Sequence, residues 1–77
     1  MPMVSVKILA GVFTTAQQEA MIDEVTDALC RVGGEGMRPA VHVLVEEVPS
    51  GRWGIGGAKL TTEGIIARRA ARRGSGD

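Results

Sequence analysis

Pro2-Met3-Val4-Ser5-Val6-Lys7-Ile8-Leu9 sets aliphatic Val4, Val6 and Ile8 in alternation with Met3, Ser5, Lys7 and Leu9. A period of two is that of a β-strand, so the stretch predicts a strand with one aliphatic face and one mixed face. Its first residue is also a chemical group. Loss of Met1 turns Pro2 into a free secondary amine. Burial and nearby cations draw the pKa of such a base toward neutrality, since both disfavour the charged form. A strand is a rigid place to hold it.

Outward from this strand, Gly11 closes it, and Thr14-Thr15-Ala16-Gln17-Gln18 offers two candidate N-caps, each with a glutamine three residues on in the manner of a capping box. Met21, Ile22, Val25, Ala28, Leu29 and Val32 then recur at helical spacing, with acidic residues on the other side. This predicts a helix of about 17 residues. Gly33, Gly34 and Gly36 break it, and Pro39 leads into a second strand, Val41-His42-Val43-Leu44-Val45-Glu46-Glu47, rich in β-branched residues. Strand, helix and strand make a βαβ unit with parallel strands and a right-handed crossover. The fold class expected is α/β (α+β). Val41, Val43 and Val45 should share the helix-covered face with Val4, Val6 and Ile8. His42, Leu44 and Glu46 then join Met3, Ser5 and Lys7 on the other face, which is too mixed for plain solvent and suits a partner sheet or a site. After Pro49 the glycines of Ser50-Gly51-Arg52-Trp53-Gly54-Ile55-Gly56-Gly57 predict turns with positive φ and a small hairpin. From about Thr61, Ile65, Ile66, Ala67, Ala70 and Ala71 alternate with two arginine pairs, as in a short helix that frays at Gly74-Ser75-Gly76-Asp77.

A chain of 77 residues is one domain and buries only about 60% of the surface its unfolded form exposes. Phe13 and Trp53 are its only aromatic residues, so aliphatic packing and subunit contacts must supply the stability. An oligomer is expected. The single Cys30 has no internal disulfide partner and is read as packing. One cysteine and one histidine far apart in sequence argue against a metal site. No apolar run approaches the length of a membrane span, and the first residues do not resemble a signal peptide, so a cytoplasmic protein without membrane contact is expected. Net charge is zero. Arg68, Arg69, Arg72 and Arg73 lack interleaved aromatic residues and read as a solvated or subunit-contacting surface rather than a nucleic-acid site. Neither phosphate-binding glycine motif is present.

The specific signal is a combination. Pro2 opens a strand, a βαβ unit of this size follows, and Glu47-Val48-Pro49-Ser50-Gly51-Arg52-Trp53-Gly54-Ile55-Gly56-Gly57 comes after the second strand. Together these resemble the 4-oxalocrotonate tautomerase family of the tautomerase superfamily, over Pro2 to about Leu60. The resemblance implies a βαβ domain over residues 1–62, with a short C-terminal hairpin, that dimerises into a four-stranded sheet and assembles as a hexamer. Residues 63–77 are left as a basic, partly disordered tail. It also implies keto-enol tautomerisation of a small unsaturated 2-keto or 2-hydroxy acid or related carbonyl compound. Pro2 matches the general base and no cofactor is needed. Trp53 matches the aromatic wall of the pocket. The family's arginine after the first strand is replaced here by Val12 and Phe13, and its second-strand arginine by His42. The pocket expected from this pattern is lined by Val12, Phe13, His42, Arg52 and Trp53, and its preferred substrate differs from a plain diacid. Two other readings are a non-catalytic or half-catalytic subunit that pairs with a related chain in a hetero-hexamer, and a scaffold or nucleic-acid-binding hexamer that uses its arginine-rich tails.

Overall fold

The computed structural model describes residues 1–74. Along the chain come β1 (Met3–Leu9), α1 (Thr15–Gly33), a 3₁₀ helix (Glu35–Ala40), β2 (His42–Val48), β3 (Trp53–Ile55), β4 (Ala58–Leu60) and α2 (Thr62–Gly74). β1 pairs with β2, and β3 with β4. The His42 N–H donates to the Pro2 carbonyl at 3.0 Å and the Ala10 N–H to the Val48 carbonyl at 2.8 Å. Start meets start and end meets end, so the two long strands run parallel, as the βαβ reading requires. The elements form two units: residues 1–7 with 13–46, and residues 8–12 with the chain from 47 onward.

In the first unit the alternation read from β1 and β2 is realised. Val4, Val6, Val41, Val43 and Val45 are half-buried, whereas Met3, Ser5, Lys7, His42, Leu44 and Glu46 are exposed. α1 is capped by Thr14, the first of the two candidate caps. The Gln17 N–H donates to Thr14 Oγ1 at 3.1 Å, and the Thr14 N–H donates back to Gln17 Oε1 at 2.8 Å. Two of the donors left over at the helix start are thereby satisfied. The helix stops at Gly34, whose N–H donates to the Cys30 carbonyl at 2.8 Å. Cys30 is buried, at 4% exposure, as its reading as packing expects.

The 3₁₀ helix is a correction to the expectation that Pro39 simply leads into a strand. Its three-residue turn brings residues i and i+3 into register, which is where Glu35 and Arg38 form an ion pair. Arg38 also bridges to Asp27 of α1 at 2.9 Å. The Glu35 carboxyl is held below the usual carboxylate range, chiefly by its hydrogen bond from Arg38.

In the second unit the glycine run forms the expected hairpin, with Trp53 opposite Leu60 and Ile55 opposite Ala58. Gly56 and Gly57 link the strands with φ of 56° and 86°. A two-residue turn that follows the strand twist needs positive φ at both positions. The tail forms a helix of 13 residues. Thr61 caps it, its Oγ1 accepting from the Gly64 N–H at 3.1 Å. Thr62 ties it down: its N–H donates to Ser50 Oγ at 2.9 Å and its Oγ1 donates to the Ala10 carbonyl. Gly11, at φ 84°, makes room for this anchor, since a Cβ there would lie 2.9 Å from Thr62 Cγ2. The part of the fraying and disorder expectation that falls on residues 75–77 lies outside the described residues.

Candidate active site

Pro2 is half-buried and stands immediately before β1, while Met1 is 90% exposed. The carbonyl of Pro2 is the acceptor for His42 N–H, so the pyrrolidine ring is pinned through its own backbone to the first residue of β2. Of the residues expected at the site, Pro2 and His42 are therefore brought together, by main chain rather than by side chain. The His42 side chain is exposed.

On the same sheet face Glu46 Oε1 accepts from Ser5 Oγ at 2.8 Å and from Lys7 Nζ at 3.1 Å. These bonds tie side chains of β1 and β2 across the ladder and confirm that the residues share a face. The Ser5 hydroxyl first, and then the Lys7 ammonium, hold the Glu46 carboxyl below the usual carboxylate range. Lys7 and Glu46 thus largely neutralise each other. Met3 and Leu44, 64% and 45% exposed, supply the apolar part of this face.

Phe13, half-buried at the entry to α1, lines an open groove of about 410 Å³ with Val6, Ala20, Met21 and Val25. Glu24 is the only ionisable residue on that lining. The groove lies on the helix-covered side of β1 and includes neither Pro2 nor His42. Its apolar walls lack the convergent polar groups that chemistry on a carbonyl compound needs. We regard it as incompletely filled packing between α1 and β1 rather than as the reaction site.

Val12, Arg52 and Trp53 belong to the second unit. Trp53 is half-buried in β3, directly after exposed Arg52. The Arg52 N–H donates to the Pro49 carbonyl at 3.0 Å, closing the turn that feeds the hairpin. Val12 is half-buried, and its carbonyl accepts from Arg69 Nη1 of α2 at 3.3 Å. Sequence reasoning missed Arg69 as a distinct residue by grouping it with the solvated arginines. A signal was nevertheless present, because Thr62, Ile65 and Arg69 fall at i, i+3 and i+7, the spacing of one helix face. All three are half-buried.

Among the described residues no group of three or more His, Cys, Asp and Glu side chains is placed to hold a metal ion. Among the same residues no helix is long and apolar enough to cross a membrane.

A half-buried proline heading the first of two parallel strands, followed by an aromatic-Gly-Ile-Gly-Gly hairpin, defines a protomer of tautomerase type, and comparison with known proteins agrees. The family model described as tautomerase enzyme matches residues 2–63. A probable tautomerase of Staphylococcus aureus (strain N315) is 37% identical over 63 residues, covering 82% of this chain and all of the relative. The solved structure of the 4-oxalocrotonate tautomerase isozymes from Methylibium petroleiphilum superposes with a TM-score of 0.67 at 30% identity, over 83% of this chain and 97% of that one. DmpI from Helicobacter pylori gives a TM-score of 0.64 at 25% identity, over 80% and 97% of the two chains. The chain belongs to the tautomerase superfamily, within its 4-oxalocrotonate tautomerase family. Its general class is that of the tautomerases, which are isomerases. Pro2, Val12, Phe13, His42, Arg52 and Trp53 fall inside the matched span, whereas α2 from residue 64 onward, with Arg69, falls outside it.

Proposed function

We propose that this chain is a tautomerase whose Pro2, freed by loss of Met1, is the general base for keto-enol interconversion of a small unsaturated 2-keto or 2-hydroxy acid or related carbonyl compound. The observation that carries this reading is the placement of Pro2: half-buried, at the head of β1, with its carbonyl bonded to His42 N–H. A base held by its own backbone spends no further ordering on finding its proton.

The reaction balances on one amine. The Pro2 nitrogen takes the proton of the enol hydroxyl, the enol electrons close the carbonyl and move to carbon, and the ammonium so formed delivers its proton there. The amine is regenerated. Such a base works best with a pKa near the operating pH, and apolar surroundings lower an amine's pKa by disfavouring its charged form, the role that the family resemblance gives to Trp53. The family resemblance puts Val12 and Phe13 where an arginine would hold a substrate carboxylate. His42 stands where the second arginine would and offers a hydrogen bond in its place, so a plain diacid is not the preferred substrate, and Arg52 is the nearest candidate to replace a lost cation.

An oligomer, with six copies as the family resemblance suggests, completes the proposal, and its cytoplasmic placement follows the sequence reading. Support comes from burial. Ile8, Leu9 and Cys30 are the only buried apolar side chains among the described residues, while Met3 and Leu44 stand out on one sheet face.

The test is turnover by Pro2→Ala in chains whose Met1 has been removed. Loss of on the order of 10²-fold in enol-to-keto rate is expected, the low end of what a positioned base contributes, with a residual rate from the primary amine that remains. Full activity would dismiss the amine as catalyst.

A further inference from the structure

The amine proposed as base is held by a backbone bond to β2, and the chain reaches β2 from α1 through a glycine-rich connection. Gly33, Gly34 and Gly36 all lie in it, and a Cβ on Gly34 or Gly36 would meet nothing within 4 Å. Glycine brings backbone freedom that has to be restrained if the following strand is to start in one place. Arg38 supplies the restraint. Its Nε and Nη2 both donate to the Glu35 carboxylate, the second at 3.3 Å, and its Nη1 bridges to Asp27 Oδ1 of α1 at 2.9 Å. All three guanidinium nitrogens are engaged, so the 3₁₀ helix is clasped both to itself and to α1.

From Arg38 the connection to Pro2 is short. The Val41 N–H donates to the Arg38 carbonyl at 3.2 Å, and the next residue, His42, donates its N–H to the Pro2 carbonyl at 3.0 Å. The pyrrolidine ring locks the nitrogen to its Cα, so a single torsion separates that nitrogen from the bonded carbonyl. Resting on the tautomerase reading above, we infer that Arg38 is a positioning residue for catalysis: by clasping Glu35 and Asp27 it fixes the start of β2 and, through the His42 N–H, the seat of the Pro2 amine. Every residue in this series of contacts belongs to the first unit. Isolated exposed ion pairs contribute little, whereas a bidentate arginine–carboxylate pair within a network of charges is the arrangement that does contribute. A lysine could not take the place of Arg38, because one ammonium lacks the planar fork that grips Glu35 while reaching Asp27.

The experiment compares native chain with Arg38→Gln, Arg38→Lys and Asp27→Asn, all with Met1 removed, in turnover of a small conjugated 2-hydroxy acid. Arg31→Gln, which removes an exposed charge of α1, is the control for net charge. Hydrogen exchange of the His42 N–H, followed by NMR, reads its bond to Pro2 without any need for turnover. Arg38→Gln is expected to lower kcat by about threefold or more with KM unchanged, short of the roughly 10²-fold that a full ångström of misplacement costs. His42 N–H exchange should quicken by a similar factor. Arg38→Lys should recover part of both losses. Asp27→Asn should do less harm than Arg38→Gln, and the two together no more than Arg38→Gln alone, because they break one network. In a chain that turns over substrate, native kcat or native His42 exchange in Arg38→Gln would overturn the inference and leave the tautomerase reading intact, as would an equal loss in Arg31→Gln. Faster His42 exchange in Arg38→Gln without turnover by native chain would uphold the clasp on Pro2 and remove the tautomerase reading. Absence of both turnover and any change in exchange would remove both.

Discussion

His42 shows how one residue can be committed through its backbone and left open through its side chain. Its N–H is committed to the Pro2 carbonyl, while the imidazole is exposed on the face that also carries Met3, Ser5, Lys7, Leu44 and Glu46. Changing the side chain should therefore leave the strand pairing in place. His42→Arg is expected to raise kcat/KM toward a dicarboxylic enol acid, because a guanidinium supplies a permanent charge and a fork of donors that imidazole lacks. The check is steady-state kinetics on the folded variant, and an unchanged value would mean that His42 does not face the substrate. This position was legible in the sequence, because the period of two in β2 assigns it a face. The backbone bond to Pro2 was not, because main-chain pairing carries no side-chain signature. Arg69 was obscured for a different reason: four arginines in a short stretch look alike by composition, and only the placement of Thr62 and Ile65 on the same helix face separates one from the rest.

At the scale of elements, β1, α1, β2 and the hairpin were readable because each has its own local chemistry. Alternating valines, the Thr14–Gln17 capping box and the Gly56-Gly57 turn are complete within a few residues. The 3₁₀ helix was hidden because its reasons are tertiary. Arg38 pairs with Asp27 a helix away, and a Cβ on Gly33 would lie 2.6 Å from the Met37 methyl. The anchoring of α2 is also a long-range fact, made by Thr62 and Ala10 across 52 residues. Gly11 is where this anchor is most easily broken. Gly11→Ala places a side chain at φ 84° and against Thr62 Cγ2, and is expected to cost about 1–3 kcal/mol, the usual penalty of a strained backbone position. Denaturant unfolding measures it. A loss within experimental error would mean that the loop and helix adjust freely, and that α2 is not held as described.

The whole molecule is short of core. With Ile8, Leu9 and Cys30 as its only buried apolar residues among those described, and Met3, Val32, Leu44, Ile55 and Ile66 all substantially exposed, a single copy buries too little to offset chain entropy comfortably. We expect assembly at micromolar concentration, most simply into six copies, and sedimentation velocity showing a stable folded monomer would contradict it. Assembly is distinct from the proposed chemistry, which rests on a single nitrogen. An amide nitrogen has no basic lone pair, so Pro2 can act only after Met1 is gone, and Met1 is well exposed for removal. The most direct measurement separates chains with and without Met1 by mass and assays enol-to-keto turnover of each. The account predicts that activity resides in the chains lacking Met1 and is absent from those retaining it. Equal turnover by the two forms would contradict it.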